Sequence, residues 1–219
     1  MGSKMLTGSM LVFGPLLGII MLFVEPGGTD EAKFAVAAQK MLDNSTLTSI
    51  SGVGFTVAML AVTIGTAYLA RSMQGEQKPG SDLAGLASVL ALLSAAVVIV
   101  SSGLQMAMVG PNWIDRGGDA NTALAIGEAI SGNAFLLMGA AALLLGIAIF
   151  RQKNLNQIVG GITALFGGCL LAGWVFPSSG ADNITGLIGF IGFLGWIIMT
   201  LVLGGLTIKQ AMGSTSSSA

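Results

Sequence analysis

Six long apolar runs, separated by short polar connectors, organise this chain: Met5–Val24, Leu47–Ala70, Leu83–Val109, Ala129–Phe150, Ile158–Phe176 and Ile184–Thr207. A helix rises about 1.5 Å per residue and the hydrocarbon core of a bilayer is about 30 Å thick, so roughly twenty residues cross it. Each run meets or nearly meets that length, and the pattern predicts six transmembrane helices. The connectors are too short to fold into a second domain. Arg151-Gln152-Lys153-Asn154, between the fourth and fifth runs, is short enough to force antiparallel neighbours.

One connector has a pattern of its own. In Asp30–Asp43 the apolar residues Phe34, Ala37, Ala38, Met41 and Leu42 recur at the spacing of one helix face. Glu31, Lys33, Gln39, Lys40 and Asp43 take the other faces, and Thr29 or Asp30 is placed to cap the start. This predicts a short amphipathic helix over residues 30–43, on the outer membrane surface or as a lid over the bundle. The remaining connectors read as turns and loops, with Pro79-Gly80 turning one and Ile114–Ala120 forming an exposed loop after Gly110-Pro111. The Ser-rich end from Gly213 reads as disordered. The fold class is therefore all-α: one polytopic bundle of six transmembrane helices over residues 1–212, an outer amphipathic helix, and a disordered tail at 213–219.

Within the runs, small residues predict where helices meet. Gly160, Ala164, Gly168 and Ala172 stand four apart in the fifth run, and Gly186, Gly189, Gly192 and Gly195 three apart in the sixth. Such ridges let a second helix approach closely in lipid. Pro15, after Gly14, predicts a kink in the first run. That run is read as a retained helix, since the cleavage-like Ala35-Val36-Ala37 lies well past its end at Val24.

Composition strengthens the membrane assignment. Of 219 residues, 53% are hydrophobic and 9% charged, against about 25% charged in an ordinary soluble domain. Mean hydropathy is +0.86. Charge also sets orientation. Lys4, Arg71, Lys78, Arg151, Lys153 and Lys209 fall on the side that holds both ends of the chain, and Lys33, Lys40 and Arg116 on the other. With Asp and Glu included, the sides carry +4 and −5. The positive-inside rule then predicts a multi-pass protein of the cell membrane with both termini cytoplasmic. Asn44-Ser45-Thr46 and Asn183-Ile184-Thr185 match the glycosylation sequon on the outer side. Each sits so close to a run that chance or helix capping is the better explanation.

The composition also removes whole classes of chemistry. There is no histidine and one cysteine, Cys169, inside the fifth run. Haem ligation, histidine-based zinc sites and thiolate clusters lose their usual residues. No cofactor or metal is expected. There is no basic cluster for nucleic acid and no phosphate-binding glycine loop. The 12 methionines are scattered, as in core packing. Trp113, Trp174 and Trp196 read as interface or packing aromatics.

Ionisable groups in lipid are functional candidates by default. Glu128 is the one carboxylate placed to lie within the bilayer. Counted up their helices, Glu128 and Gln105 share one depth near the outer boundary, about 33 Å from the opposite edge. Asn133 lies a turn or so deeper, and Ser49 and Ser51 reach a similar level. Two readings stand. Glu128, Gln105 and Asn133 form an outer-half polar site for a cation or proton, or Glu128 simply meets water at the interface. Glu128 and Asn133 stand about 140° apart round the helix, which favours the second.

Ile147-Ala148-Ile149-Phe150-Arg151, followed by Asn156-Gln157-Ile158-Val159-Gly160-Gly161, carries a family likeness. The chain resembles the six-helix membrane family catalogued as domain of unknown function 4386. The shared layout is a first span, an outer amphipathic segment, a fourth span ending in aromatic-Arg and a glycine-bearing fifth span. The resemblance implies a six-helix integral membrane protein and transfers no functional residue. The lack of catalytic residues argues against an enzyme. It favours a structural or accessory component whose partners are the bilayer and other membrane subunits. The alternative is a small transporter or channel with a polar site in the outer half of the bundle.

Overall fold

The computed structural model describes residues 2–26, 34–110, 113, 115–175 and 184–216. Seven helices account for nearly all of them: α1 (Gly2–Val24), α2 (Phe34–Asp43), α3 (Ser45–Ser72), α4 (Ser81–Val109), α5 (Ala120–Gln152), α6 (Gln157–Val175) and α7 (Ile184–Ser216). No strand occurs among the described residues. Six of the seven, all except α2, are long and apolar enough to cross a membrane. The protein is an all-helical integral membrane bundle.

The six long helices form a ring in chain order. Each packs on its sequence neighbours, and α1 against α7 closes the circle. Short connectors produce this arrangement, because each helix reverses direction directly beside the one before it. The ring encloses a filled centre. Met59 and Val62 of α3, Ala91 and Val98 of α4, Ala134 and Met138 of α5, Leu170 of α6 and Trp196 of α7 belong to one buried cluster. A second cluster, with Leu11, Leu69, Met73, Leu145, Ile149 and Leu203, fills the half nearer the termini.

Small side chains set the helix spacing. From Ala84 to Ser102 the buried positions of α4 are Ala84, Ala87, Ser88, Ala91, Ser94, Ala95, Val98, Ser101 and Ser102, a helical stripe of almost nothing larger than serine, with Met108 buried near its end. Lipid does not drive apolar surfaces together, so close backbone approach and interhelical hydrogen bonds carry more of the association. Ser94 Oγ donates to Ala134 O of α5 at 2.8 Å, wholly buried. Buried threonines instead satisfy themselves: Thr63 donates to Met59 O, Thr200 to Trp196 O and Thr207 to Leu203 O.

The α5–α6 contact departs from the expected ridge. Gly160 and Ala164 do face α5, but the next close approach is at Gly167, not Gly168. A Cβ on Gly160 would meet Phe150 N at 2.6 Å, and one on Gly167 would collide with the backbone of Ala142 and Leu143. A Cβ on Gly168 would only touch Leu143 Cδ1 at 3.8 Å. The reason is helical phase. A step of four residues advances the face by about 40°, so after three steps Ala172 points about 120° away from Gly160. Alternating steps of four and three hold one face. The contacts accordingly run through positions 160, 164, 167 and 171 of α6 against 139, 143, 146 and 150 of α5. Three of the α7 glycines pack on α6, Gly189 on Gly173, Gly192 on Leu170 and Gly195 on Phe166.

Other boundaries differ too. α5 begins at Ala120, well before Ala129, because Asp119 caps it: Oδ2 accepts from Thr122 N at 2.8 Å and Thr122 Oγ1 at 2.6 Å. These bonds hold the exposed Asp119 carboxyl below the usual aspartate range. α7 continues to Ser216, past the start of the Ser-rich tail at Gly213, and 217–219 lie outside the described residues. α1 runs through Pro15 without a break, and Gly14 lets α3 approach within van der Waals reach. Residues 30–33, Phe176 and Asn183 also lie outside the described residues, as does the side chain of Phe34.

α2 lies across the end of the bundle away from the termini, on α3, α4 and α5. Ala37, Ala38 and Met41 bury themselves against Met108, Ala120, Ala123 and Leu124. Thr48 Oγ1 donates to Met41 O at 2.9 Å and ties α2 to the start of α3. Asn44 makes no side-chain cap on α3; its Nδ2 donates back to Lys40 O at 3.0 Å, closing the end of α2.

Candidate functional site

Beneath α2 lies a cavity of about 460 Å³ within the ring. Ala37 and Met41 of α2 contribute to its wall. Its floor is the top of the central core, since Met59, Val98 and Ala134 belong to both. The size suits a small organic molecule, for which pockets run from about 300 to 1,000 Å³.

Polar groups enter from two helices and the end of a third. Glu128 and Ser131 come from α5, Ser101, Ser102 and Gln105 from α4, and Glu25 from the residue that follows α1. Glu128 lies in this wall because α5 starts early, which puts it within the helix, partly exposed and next to Gly127 on the face towards α4. There a Cβ on the adjacent Gly127 would touch Gln105 Cγ at 3.0 Å. The shared depth of Glu128 and Gln105 is therefore a real proximity. Asn133 is not part of it. It stands on another face of α5, exposed, with Nδ2 donating to Ala129 O at 3.3 Å. Ser49 and Ser51 are absent from the lining as well, and Ser51 is buried with its hydroxyl donated to Thr48 O at 3.1 Å.

Glu25 is the residue that sequence reasoning missed. A carboxylate directly after an apolar run reads as an interfacial charge, and nothing in its neighbourhood distinguishes it. The ring closure brings it round to Glu128. Burial pushes the Glu25 carboxyl above the usual glutamate range, and the like charge of Glu128 adds to the rise. Neither carboxylate has a hydrogen-bond or ion-pair partner among the described residues. Two hydroxyls are already committed, Ser101 to Val98 O at 3.1 Å and Ser131 to Glu128 O at 2.8 Å, so they offer the cavity oxygen lone pairs, not protons. The free polar capacity is thus mostly acceptor.

The deeper part of the wall is aromatic, with Phe135 two turns below Glu128 on the same face of α5. Phe55, Phe135, Trp174 and Phe193 line it. Phe135 stacks on Trp174 with centroids 6.0 Å apart and meets Phe193 edge-on at 5.6 Å. Trp196 is buried behind them, 6.4 Å from Phe135. Trp174, expected to serve packing or the interface, forms part of the cavity wall. Among the described residues, no grouping of carboxylates and cysteine could hold a metal ion.

The Glu25 environment has a consequence for stability. A carboxyl with a raised folded-state pKa binds more protons folded than unfolded, so stability falls as pH rises from the ordinary glutamate value through the folded one. Glu25→Gln should therefore raise the thermal midpoint of the unliganded protein at pH 7 to 8. The gain is at most about 4 °C, what roughly 1 kcal/mol produces in a chain of this size. It should vanish near pH 4, where the carboxyl is protonated in both states. Thermal scans in detergent across that range check it, and a gain equal at both ends would refute it. Comparison with known families, curated proteins and solved structures returns no match to this chain.

Proposed function

We propose that this protein binds a small organic cation in the cavity beneath α2, as the substrate site of a membrane transporter with both termini cytoplasmic and the cavity towards the outside. One observation carries the reading: Glu25 and Glu128 converge, without protein partners among the described residues, on a space walled by aromatic rings. Two facing carboxylates repel, and a cation between them removes the repulsion. Aromatic faces add cation–π attraction, about 2 kcal/mol or more where water is excluded. Acceptor-only hydroxyls suit an ammonium, which brings donors alone.

This takes precedence over an accessory-subunit role, which a fully packed bundle would serve better than one with an acidic cavity. The accessory role keeps the tight packing of α5, α6 and α7 as its support. The layout resemblance to the domain of unknown function 4386 family accords with either and adds no chemistry. No catalytic role is assigned.

Benzylammonium and its neutral near-isostere benzyl alcohol separate the charge from the ring. Benzylammonium should raise the thermal midpoint of the purified protein in a saturable way, and benzyl alcohol should not. Accumulation of benzylammonium in proteoliposomes then distinguishes a carrier from a binder. Equal responses to the two compounds would refute the cation site.

A further inference from the structure

The opposite end of the bundle, which carries both termini, has a different polar feature. Two adjoining cavities of about 460 and 470 Å³ lie between α1, α3 and α7. They share Lys4, Leu69, Ser72 and Thr207. Three cations from three segments line them: Lys4 from the first turns of α1, Arg71 from the last turn of α3, and Lys78 from the α3–α4 connector. No carboxylate lines either space, although Glu76 lies on the same connector and Asp82 in the first turn of α4.

The basic groups have donors left over. Arg71 Nε donates to Ser88 Oγ at 3.2 Å, which fixes the guanidinium and leaves its two terminal amino groups. Lys78 uses one ammonium proton on Gln74 O, at 3.1 Å. None of the three cations is in an ion pair among the described residues. The chemistry called for is a phosphate-like anion.

The walls indicate where that anion comes from. The second cavity includes Leu6 and Tyr68, which are 54% and 46% exposed and stand on the bundle's outer surface. The site therefore runs from a basic floor onto a lipid-facing apolar edge, at the level where a helix leaves the hydrocarbon. A soluble phosphate would use the floor alone. A phospholipid would use both, headgroup on the cations and acyl chain along Leu6 and Tyr68. On the charge asymmetry of the chain this end faces the cytoplasm, and anionic lipid is enriched in that leaflet.

We infer that the α1–α3–α7 crevice is a specific binding site for an anionic glycerophospholipid, held by Lys4, Arg71 and Lys78. The full chain, delipidated in a zwitterionic detergent, is titrated with mixed micelles of phosphatidylglycerol or phosphatidylcholine, and separately with glycerol 3-phosphate. Phosphatidylglycerol should raise the thermal midpoint by at least about 3 °C, saturably, as expected for a ligand held only by the folded state. Phosphatidylcholine and glycerol 3-phosphate should leave it within error. Lys4→Ala/Lys78→Ala should lose most of the shift and, by native mass spectrometry, retain less phosphatidylglycerol. These lysines are chosen because both side chains are exposed. Lys153→Ala/Lys209→Ala, which removes equal charge from the same end outside the crevice, should keep the shift. Equal loss in both double variants would reduce the effect to general attraction and overturn the site. An equal shift with glycerol 3-phosphate would overturn the lipid as its occupant.

Discussion

Gly146→Leu should prevent α5 and α6 from packing and cost the bundle more than about 3 kcal/mol, beyond the usual 1–3 kcal/mol of core overpacking. The reason is that the obstacle is backbone, not a side chain that can swing away. A Cβ on Gly146 would fall on Ala164 N and lie 2.7 Å from both Ala164 Cα and Gly160 O. The other glycines of the seam are nearly as tight: a Cβ on Gly139 of α5 would lie 2.8 Å from Leu171 N, and one on Gly160 of α6 2.9 Å from Gly146 O. The helices would have to separate along the whole seam, and lipid provides no hydrophobic force to pull them back. Gly103→Leu and Gly205→Leu are the controls, because no atom of another helix lies within 4 Å of a Cβ at either position. They should stay within about 0.5 kcal/mol of the parent, as surface substitutions do. Thermal unfolding in detergent, together with the fraction that stays monodisperse, reads all three. Similar behaviour of Gly146→Leu and Gly103→Leu would mean that the α5–α6 seam does not form as described.

That seam shows how far the sequence could be read. The six spans were legible because hydropathy integrates over some twenty residues, and errors at single positions do not matter. α2 was legible for a related reason: the stripe through Ala37, Ala38 and Met41 is a face pattern, and those residues are the buried ones. Position around a helix was harder. Gly160 and Ala164 could be found, but the change from Gly168 to Gly167 depends on helical phase over several turns against a particular partner. Depth along the bundle axis was also readable, which is why Gln105 and Glu128 could be paired. Asn133 failed the same test on angle, not depth. Glu25 was out of reach, because its meeting with Glu128 depends on which helix closes the ring on which. No local pattern encodes that. The aromatic wall was hidden in the same way, since Phe135, Trp174 and Phe193 come from three different helices.

Glu128→Gln should weaken benzylammonium binding about 10- to 100-fold while leaving the fold intact. A charge-assisted hydrogen bond contributes about 1.5–3 kcal/mol, and each 1.4 kcal/mol is tenfold in affinity. The substitution keeps the size and polarity of the side chain, so the cavity keeps its shape. Asn133→Ala, on the same helix but outside the cavity, should have no effect on binding. Gln105→Ala should cost less than Glu128→Gln, since a neutral hydrogen bond contributes about 1 kcal/mol. Glu25 supplies a readout that a merely structural role would not move. Its carboxyl is held above the ordinary glutamate range by burial first and by Glu128 second. A proton therefore competes with the cation for the site at a pH where a free glutamate would stay ionised. With benzyltrimethylammonium, whose own charge cannot titrate, affinity should fall on acidification while the pH is still above about 4.5, the ordinary glutamate value. Glu25→Gln should bind more weakly than the parent at neutral pH and lose most of that pH dependence. Were the parent's affinity flat across this range, Glu25 and Glu128 would not be sharing one cation, and the carboxylates would be no more than wetted charges at the mouth of the bundle.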